Sequence, residues 1–256
     1  TGSTEVGRLF MKYSGESNLK GIALEMGGKS PFIVLDDAVI NDDLVEHAAN
    51  SAFWNAGQNC SANMRQIVAK TLVEEFTQAV VKRVSEYKVG DPLSLSTDLG
   101  SMISESHFRR VADYIETGLR EGAVPIPTGQ PEVTGNFINP TIYTNVNRNM
   151  TIAKDEIFGP VLGIMSVDGI DEALSIAKDT EYGLHATLFT QDIDRAIHIA
   201  RELPCGTVAI NGFTEGDIKT PFGGYKQSGS LSRDNGTEAI EQYLQTKTIW
   251  ICTKNI

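Results

Sequence analysis

Cysteine is scarce in this chain, and its few copies are scattered. The 256 residues contain three cysteines, Cys60, Cys205 and Cys252, with no CxxC pair. An odd number of widely separated thiols does not build a disulfide framework, and no histidine lies at metal-ligand spacing from them. We therefore expect neither structural disulfides nor a metal site.

Long apolar runs and clusters of basic residues are also missing. Lysine and arginine total 22 against 33 acidic residues, which gives a formal net charge of -11. No apolar stretch approaches the roughly 20 residues of a membrane span, and an acidic chain repels nucleic acid and anionic membranes. The first ten residues, TGSTEVGRLF, lack the basic and apolar regions of a secretory signal. We expect a cytoplasmic protein with neither nucleic acid nor membrane as a partner.

Short apolar runs alternate with amphipathic stretches along most of the chain. Apolar residues at helical spacing, such as Val73, Phe76 and Val80, predict helices. The predicted helices cover residues 4–15, 41–55, 73–84, 104–122, 170–179 and 192–204, and the predicted strands cover 21–25, 31–36, 65–70, 160–167, 186–190 and 207–211. We expect Ser3 to cap the first helix and Gly15 to end it. This alternation favours an α/β fold, a mostly parallel sheet with helices on both faces.

The end of the chain has a different character. Residues 243–255, YLQTKTIWICTKN, form a β-prone run that follows the last helix and has no later strand to pair with. An exposed edge strand invites pairing with another chain. We expect this tail to join two copies of the chain in a homodimer or a higher homo-oligomer.

Cys60 is the cysteine with the most unusual setting. A lone cysteine is ordinarily a small buried apolar residue, and Cys205 and Cys252 fit that description. Cys60 follows a helix break within GQNCSA, among polar residues and backbone donors that favour a thiolate. We therefore expect a nucleophile with a lowered pKa. A papain-like hydrolase is disfavoured, because none of the four histidines lies in an obvious catalytic loop.

Glu25 is the best-placed carboxylate. It ends a short apolar run and precedes two glycines, which let a backbone approach a ligand closely. Sites in parallel α/β sheets lie at the ends of strands. By itself this pattern fits either a functional carboxylate or a turn residue.

Four motifs, taken together, resemble the aldehyde dehydrogenase superfamily. In chain order they are EMGGKSP from Glu25, GQNCSA around Cys60, EIFGPV from Glu156, and PFGGYKQSG from Pro221. The resemblance extends over essentially the whole chain but covers only the C-terminal half of a family member.

The resemblance implies a role for each matching residue. Cys60 would attack the aldehyde to form a thiohemiacetal, and Glu25 would activate water to hydrolyse the resulting thioester. The residues that would contact the cofactor, NAD or NADP, are Gly2, Ser3, Met26, Glu156 and Phe158, and those that would line the substrate pocket are Asn211 and Phe222. Considered one at a time, these residues also fit ordinary structural roles: Ser3 as a helix cap, Glu156 as a surface acid and Phe222 as a core residue. As a set with Cys60 and Glu25, they favour the family roles.

The resemblance also implies an organisation. Residues 1–31 would be a remnant of the dinucleotide-binding domain, 32–240 the catalytic thiol domain, and 241–256 the oligomerisation strand. We expect this chain to lack the upstream half of a family member, including one hydrogen-bond donor to the reaction's oxyanion. We therefore expect that this chain does not catalyse the reaction by itself. The closest substrate class would be ω-functionalised aldehydes such as γ-glutamylamino-butyraldehyde or semialdehydes. Two alternatives remain open, a non-catalytic oligomerising module and a cofactor-independent thiol esterase.

Overall fold

A computed structural model of the chain describes residues 1–129, 133–230 and 232–253. Its helices are α1 (Thr4–Glu16), α2 (Asp42–Phe53), α3 (Val73–Ser85), α4 (Glu105–Arg120), α5 (Thr151–Lys154), α6 (Ile170–Lys178), α7 (Ile193–Glu202) and α8 (Glu238–Glu241). Its strands are β1 (Pro31–Val34), β2 (Arg65–Ala69), β3 (Val124–Ile126), β4 (Thr141–Thr144), β5 (Val161–Val167), β6 (Tyr182–Gly183), β7 (His185–Phe189), β8 (Thr207–Ile210) and β9 (Tyr225–Lys226). Within these ranges no helix has the length and apolarity to cross a bilayer.

The main sheet has seven strands in the order β3-β4-β5-β2-β1-β7-β8. All neighbouring pairs are parallel except β3 and β4, and β6 and β9 form a separate antiparallel pair. Every residue of β1, β2 and β7 is buried, which requires cover on both faces of the sheet centre. The predicted α/β fold with a mostly parallel sheet is confirmed.

The predicted strand at residues 21–25 is wrong. This segment forms only one isolated bridge, between Glu25 and Gly229. Its backbone instead meets a distant loop, where Met26 N donates to Ser228 O at 2.8 Å and Ser230 N donates to Leu24 O at 3.1 Å. The segment is half-exposed and lies outside the main sheet.

The first two helices follow the predicted pattern with corrected ends. Ser3 caps α1, accepting a hydrogen bond from Val6 N at 3.3 Å. Gly15 does not end this helix, because the left-handed residue that closes it is Leu19 (φ 56°), whose N donates to Ser14 O. Helix α2 stops at Phe53, and a 3-10 turn occupies residues 54–57.

The C-terminal tail forms no strand over residues 243–253, and residues 254–256 lie outside the described part of the chain. Five large apolar side chains of this tail are 67–89% exposed, namely Tyr243, Leu244, Ile249, Trp250 and Ile251. The predicted tail strand is therefore not formed within a single chain. Its pairing with a second chain stays a prediction.

Two cations lie inside the fold, at the start of β1 and β2. Arg65 is 2% exposed, and its guanidinium donates to the carbonyls of Lys29 (2.9 and 3.1 Å), Ile176 (3.1 Å) and Ala177 (3.2 Å). Lys29 is 3% exposed, and its Nζ has no hydrogen-bond partner among the described residues. Burial, reinforced by the Arg65 charge, lowers the pKa of Lys29 to about 7.

Lys29→Met should raise the free energy of unfolding at neutral and lower pH by about 1–4 kcal/mol, because it removes an unpaired buried cation. The pKa of Lys29 falls from 10.5 to about 7 on folding. Between these values the unfolded chain binds more protons, so the stability of the wild type should rise with pH across this window, and the variant should lack this rise. Urea unfolding at pH values below, within and above the window measures both effects.

Lys70→Met, at a side chain that is 70% exposed, is the control, and its free energy of unfolding should change little. A destabilised Lys29→Met variant at neutral pH would contradict the account.

Candidate active site

The site lies where three adjacent parallel strands begin. Glu25 precedes β1, Cys60 precedes β2, and Glu156 precedes β5. Strands β5, β2 and β1 are neighbours in the sheet and run in the same direction, so the segments that enter them meet at one edge. The expectation that Glu25 ends a strand is therefore wrong, because the site occupies the amino edge of these strands.

Two glycines allow these segments to touch. A Cβ added at Gly28 would lie 2.5 Å from the Cys60 carbonyl oxygen, and one at Gly27 would collide with the Glu156 carboxylate. Glu156 Oε1 accepts a hydrogen bond from Gly28 N at 3.2 Å. The glycine pair after Glu25 thus serves close packing inside the site, which brings Glu25, Cys60 and Glu156 together.

The loop that carries Cys60 is held from several directions. Asn55, Ala56 and Gly57 adopt left-handed backbone conformations, with φ of 53°, 54° and 70°. Gln58 Oε1 accepts from Ile103 N at 2.8 Å. This turn ends α2 abruptly and leaves Cys60 half-buried in front of β2.

The Cys60 thiol has a higher pKa than the sequence predicted. Burial, followed by the carboxylates of Glu25, Glu215 and Glu156, raises the pKa of Cys60 to about 12. A backbone hydrogen bond favours the thiolate but is the smallest of these influences. The expected lowering of the pKa is wrong, because burial and, after it, three carboxylates outweigh the local donors. With this pKa, Cys60 is a thiol at neutral pH, and a nucleophilic role would require a base to take its proton.

Glu25 has the properties of such a base. Burial and the charge of Asp234, opposed by Arg233, raise the pKa of Glu25 to about 7. Its Oε1 is buried and has no hydrogen-bond partner in the described structure. A carboxylate that titrates near neutrality and has a free oxygen can accept a proton from a thiol or a water molecule.

The segment after PFGGYKQSG contributes two charges that the sequence analysis missed. Arg233 Nη1 donates to Ser232 O at 2.7 Å, and its guanidinium lies 5.4 Å from the centre of the Tyr225 ring. Asp234 pairs with Phe222 through two backbone hydrogen bonds of 2.6 and 2.7 Å. This segment reaches Glu25 through the Glu25–Gly229 bridge and the hydrogen bonds beside it, which join residues about two hundred positions apart in sequence, so no local pattern reveals the contact.

Phe158 and Glu156 share a strained turn. Phe158 has a φ of 56°, a region that bulky residues rarely adopt, and its carbonyl accepts a hydrogen bond from His107 Nε2 at 2.6 Å. Burial raises the pKa of Glu156, although Gly28 N and Lys29 oppose this shift. His107 was not predicted as a site residue. A histidine one turn into α4 gives no sequence signal of this contact.

The predicted residues at the start of the chain lie beside Glu25. Gly2 N donates to the Glu25 carbonyl at 3.1 Å, and Ser3 is the cap of α1. Met26 is 5% exposed and packs on Gly7 of α1, where a Cβ would collide with its side chain. The amino end of α1 is therefore fixed against the site. The cofactor contacts of Gly2, Ser3 and Met26 stay predictions.

The structure does not bring Asn211 together with Cys60. The Asn211 side chain accepts from Thr190 N at 3.0 Å and donates to Thr190 O at 2.9 Å, at the carboxyl ends of β7 and β8. Cys60 lies at the opposite, amino edge of the sheet. Phe222 is half-buried beside Asp234, and its place in the substrate pocket stays a prediction.

Asp234→Asn should lower the pKa of Glu25 from about 7, because it removes a negative charge that opposes ionisation of this carboxyl group. Titration of the Glu25 side-chain carbon by NMR measures this, with Glu25→Gln used to assign the resonance. Asp217→Asn removes the same charge at a residue that does not shift Glu25 and serves as the control. An unchanged or raised midpoint in Asp234→Asn would show that Asp234 does not act on Glu25.

The family model described as the aldehyde dehydrogenase family matches residues 1–249. Aminoacetaldehyde dehydrogenase of Pseudomonas aeruginosa is 43% identical over 251 residues, which cover 98% of this chain and 50% of that protein. A mutant of the P. syringae indole-3-acetaldehyde dehydrogenase AldA, solved with NAD+ and IAA, has a TM-score of 0.94 at 38% identity and covers 98% of this chain and 51% of its own. Betaine aldehyde dehydrogenase of Staphylococcus aureus, solved with NAD+, has a TM-score of 0.90 at 37% identity, covering 96% and 49%.

The chain spans about half the length of the relatives it matches. The family model covers residues 1–249, and the relatives and solved structures named above cover 96–98% of the chain. The chain belongs to the aldehyde dehydrogenase family.

Proposed function

We propose that this chain carries the nucleophile and the base of an enzyme that oxidises an aldehyde to a carboxylic acid with NAD or NADP. The observation that carries the proposal is that Cys60 and Glu25 lie at the entries to adjacent strands, where the charge of Glu25 acts on the thiol. Glu25 is a half-buried carboxyl group with a pKa of about 7 and a free buried oxygen. The relatives named above, which act on aldehydes by their names, support the reaction class.

Addition to the aldehyde begins at Cys60. The thiol sulfur forms a bond to the carbonyl carbon, the carbonyl π pair moves to oxygen, and the thiol proton leaves. Glu25 is suited to take that proton, because its protonation removes one of the three negative charges that oppose a thiolate at Cys60. The product is the oxyanion of a thiohemiacetal on Cys60, which becomes the neutral thiohemiacetal when the oxygen takes up a proton.

The residues near Glu156 and α1 fit a dinucleotide. The start of α1 is exposed and offers free N–H groups with the positive end of the helix dipole, a setting that binds phosphate. Glu156 uses Oε1 for Gly28 N and keeps Oε2 for a ligand hydroxyl. Gly2, Ser3 and Glu156 would hold the cofactor, with Met26 and Phe158 beside them. When bound, the nicotinamide supplies the hydride acceptor that turns a thiohemiacetal into a thioester.

Glu25 then completes the reaction. Once the proton taken from the thiol has passed to solvent, Glu25 is again a carboxylate and accepts a proton from water. The resulting hydroxide attacks the thioester carbon, the C–S bond breaks, and the acid leaves while the Cys60 sulfur regains a proton from Glu25. The hydrolytic half of this sequence uses only residues of this chain. A cofactor-independent thiol esterase is therefore the second candidate function, favoured by the presence of both groups here.

Glu25→Gln should lower the turnover of an activated ester such as p-nitrophenyl acetate by about 100-fold or more. Alkylation of Cys60 by iodoacetamide should persist or become faster, because the substitution removes a charge that raises the pKa of the thiol. Ester hydrolysis and alkylation located by peptide mass provide the two rates.

Cys60→Ala is the control and should abolish both signals. Equal loss of alkylation and hydrolysis in Glu25→Gln would show that the assigned roles are wrong. Ester hydrolysis that is indifferent to added NAD would favour the esterase function.

We further propose the predicted organisation, with residues 1–31 belonging to a dinucleotide-binding domain, 32–240 forming the catalytic domain, and 241–256 serving oligomerisation. The exposed apolar tail supports the last assignment. The cytoplasmic location stays a prediction.

Removal of residues 243–256 should convert a dimer or larger oligomer into a folded monomer, because residues 243–253 are exposed and contribute little to the fold of the single chain. Size-exclusion chromatography with light scattering at micromolar concentration measures the oligomeric state. A monomeric full-length chain would contradict the proposal.

A further inference from the structure

Glu215 is a carboxylate that the sequence analysis did not single out, yet it contacts both neighbours of Cys60. Its Oε1 accepts a hydrogen bond from Asn59 Nδ2 at 2.9 Å and another from Ser61 Oγ. Glu215 lies on the exposed loop that follows β8. One oxygen thus fixes the carboxylate beside the nucleophile, and Oε2 remains available to a ligand.

Two histidines hold the loop that presents Glu215. Phe213 N donates to His47 Nδ1 at 3.2 Å, and His185 Nε2 donates to the Thr214 carbonyl at 2.9 Å. His185 is 1% exposed, and its ring meets the Phe213 ring edge-on at 5.3 Å. The backbone immediately before Glu215 is therefore anchored on the sheet and on α2, which places the carboxylate reproducibly.

The charge of Glu215 is uncompensated in the described part of the chain. No lysine, arginine or histidine there forms an ion pair with it, whereas many exposed acids elsewhere, such as Glu46 and Asp179, are paired with arginine. Its negative charge also works against a thiolate at Cys60. A carboxylate that opposes the proposed chemistry and lacks a cationic partner has a physical reason to be there if the ligand itself brings a positive charge.

We propose that Glu215 is a specificity-determining residue that selects aldehydes carrying a cationic group, by binding that cation beside Cys60. The inference rests on the proposed function. An ammonium or quaternary ammonium group at Oε2 would neutralise the carboxylate and remove its opposition to the Cys60 thiolate. Aldehydes that end in a carboxylate, such as acidic semialdehydes, would be repelled by the same residue.

Protection of Cys60 from iodoacetamide tests this selection without cofactor or turnover. A bound aldehyde masks the sulfur as a thiohemiacetal, in which the S–C bond forms and the carbonyl oxygen takes the thiol proton. The matched pair is 4-(trimethylammonio)butanal and 5,5-dimethylhexanal, which have the same shape and differ by a quaternary nitrogen in place of carbon. The cation should half-protect Cys60 at a concentration about fivefold lower than its neutral counterpart.

Glu215→Gln should abolish this preference, and Glu215→Asp should retain part of it. Asp217→Asn removes the same charge from the same loop and should leave the preference intact. An unchanged preference in Glu215→Gln, or an equal loss in Asp217→Asn, would overturn the inference, as would equal protection by both aldehydes in the wild type. Any of those results would contradict the inference about Glu215 without affecting the proposed function. Failure of both aldehydes to protect Cys60 would overturn the inference and the proposed function together.

Discussion

The geometry of the site depends on two adjacent glycines that pack between the backbone carbonyl group of Cys60 and the carboxylate of Glu156. Gly28 packs against the Cys60 backbone and Gly27 against Glu156, at distances that leave no room for a Cβ atom. This contact sets the position of Glu25 on one side and of Lys29 on the other. The remaining geometry follows from it, because all three segments then enter neighbouring parallel strands.

Sequence patterns identified the centre of the fold well and its edges poorly. Strands β1, β2, β5, β7 and β8 and helices α3, α6 and α7 are dense in apolar residues with clear periodicity, and each was predicted. Strands β3 and β4 were missed. Strand β3 has three residues, two of them exposed, and contains Pro125, so it lacks both the length and the pattern of a strand. The segment before Glu25 has strand-like composition, but its partners come from residues 228–230.

The same distinction applies to the site. Cys60, Glu25 and Glu156, which the structure brings together, each lie in a distinctive local motif. Asp234, Glu215 and His107 act through contacts between remote segments, which one sequence does not display. The pKa of Cys60 was misjudged for this reason, since the local donors are visible in GQNCSA, whereas the burial of the thiol and the three carboxylates around it are not. Asn211 shows the opposite case. It begins the loop after β8 and stays at the far edge of the sheet, whereas Glu215, later in the same loop, reaches the residues beside Cys60.

Arg65 supports the strands beneath this site through hydrogen bonds that depend little on pH or salt. Its buried guanidinium connects β2, the segment before β1 and the end of α6 through peptide carbonyls, with no carboxylate among these partners. Peptide carbonyls do not titrate, and a buried contact is screened little by salt. In the proposed reaction Glu25 and Cys60 change charge, and neither is a hydrogen-bond partner of Arg65. A change of charge at these two residues therefore leaves the Arg65 hydrogen bonds in place.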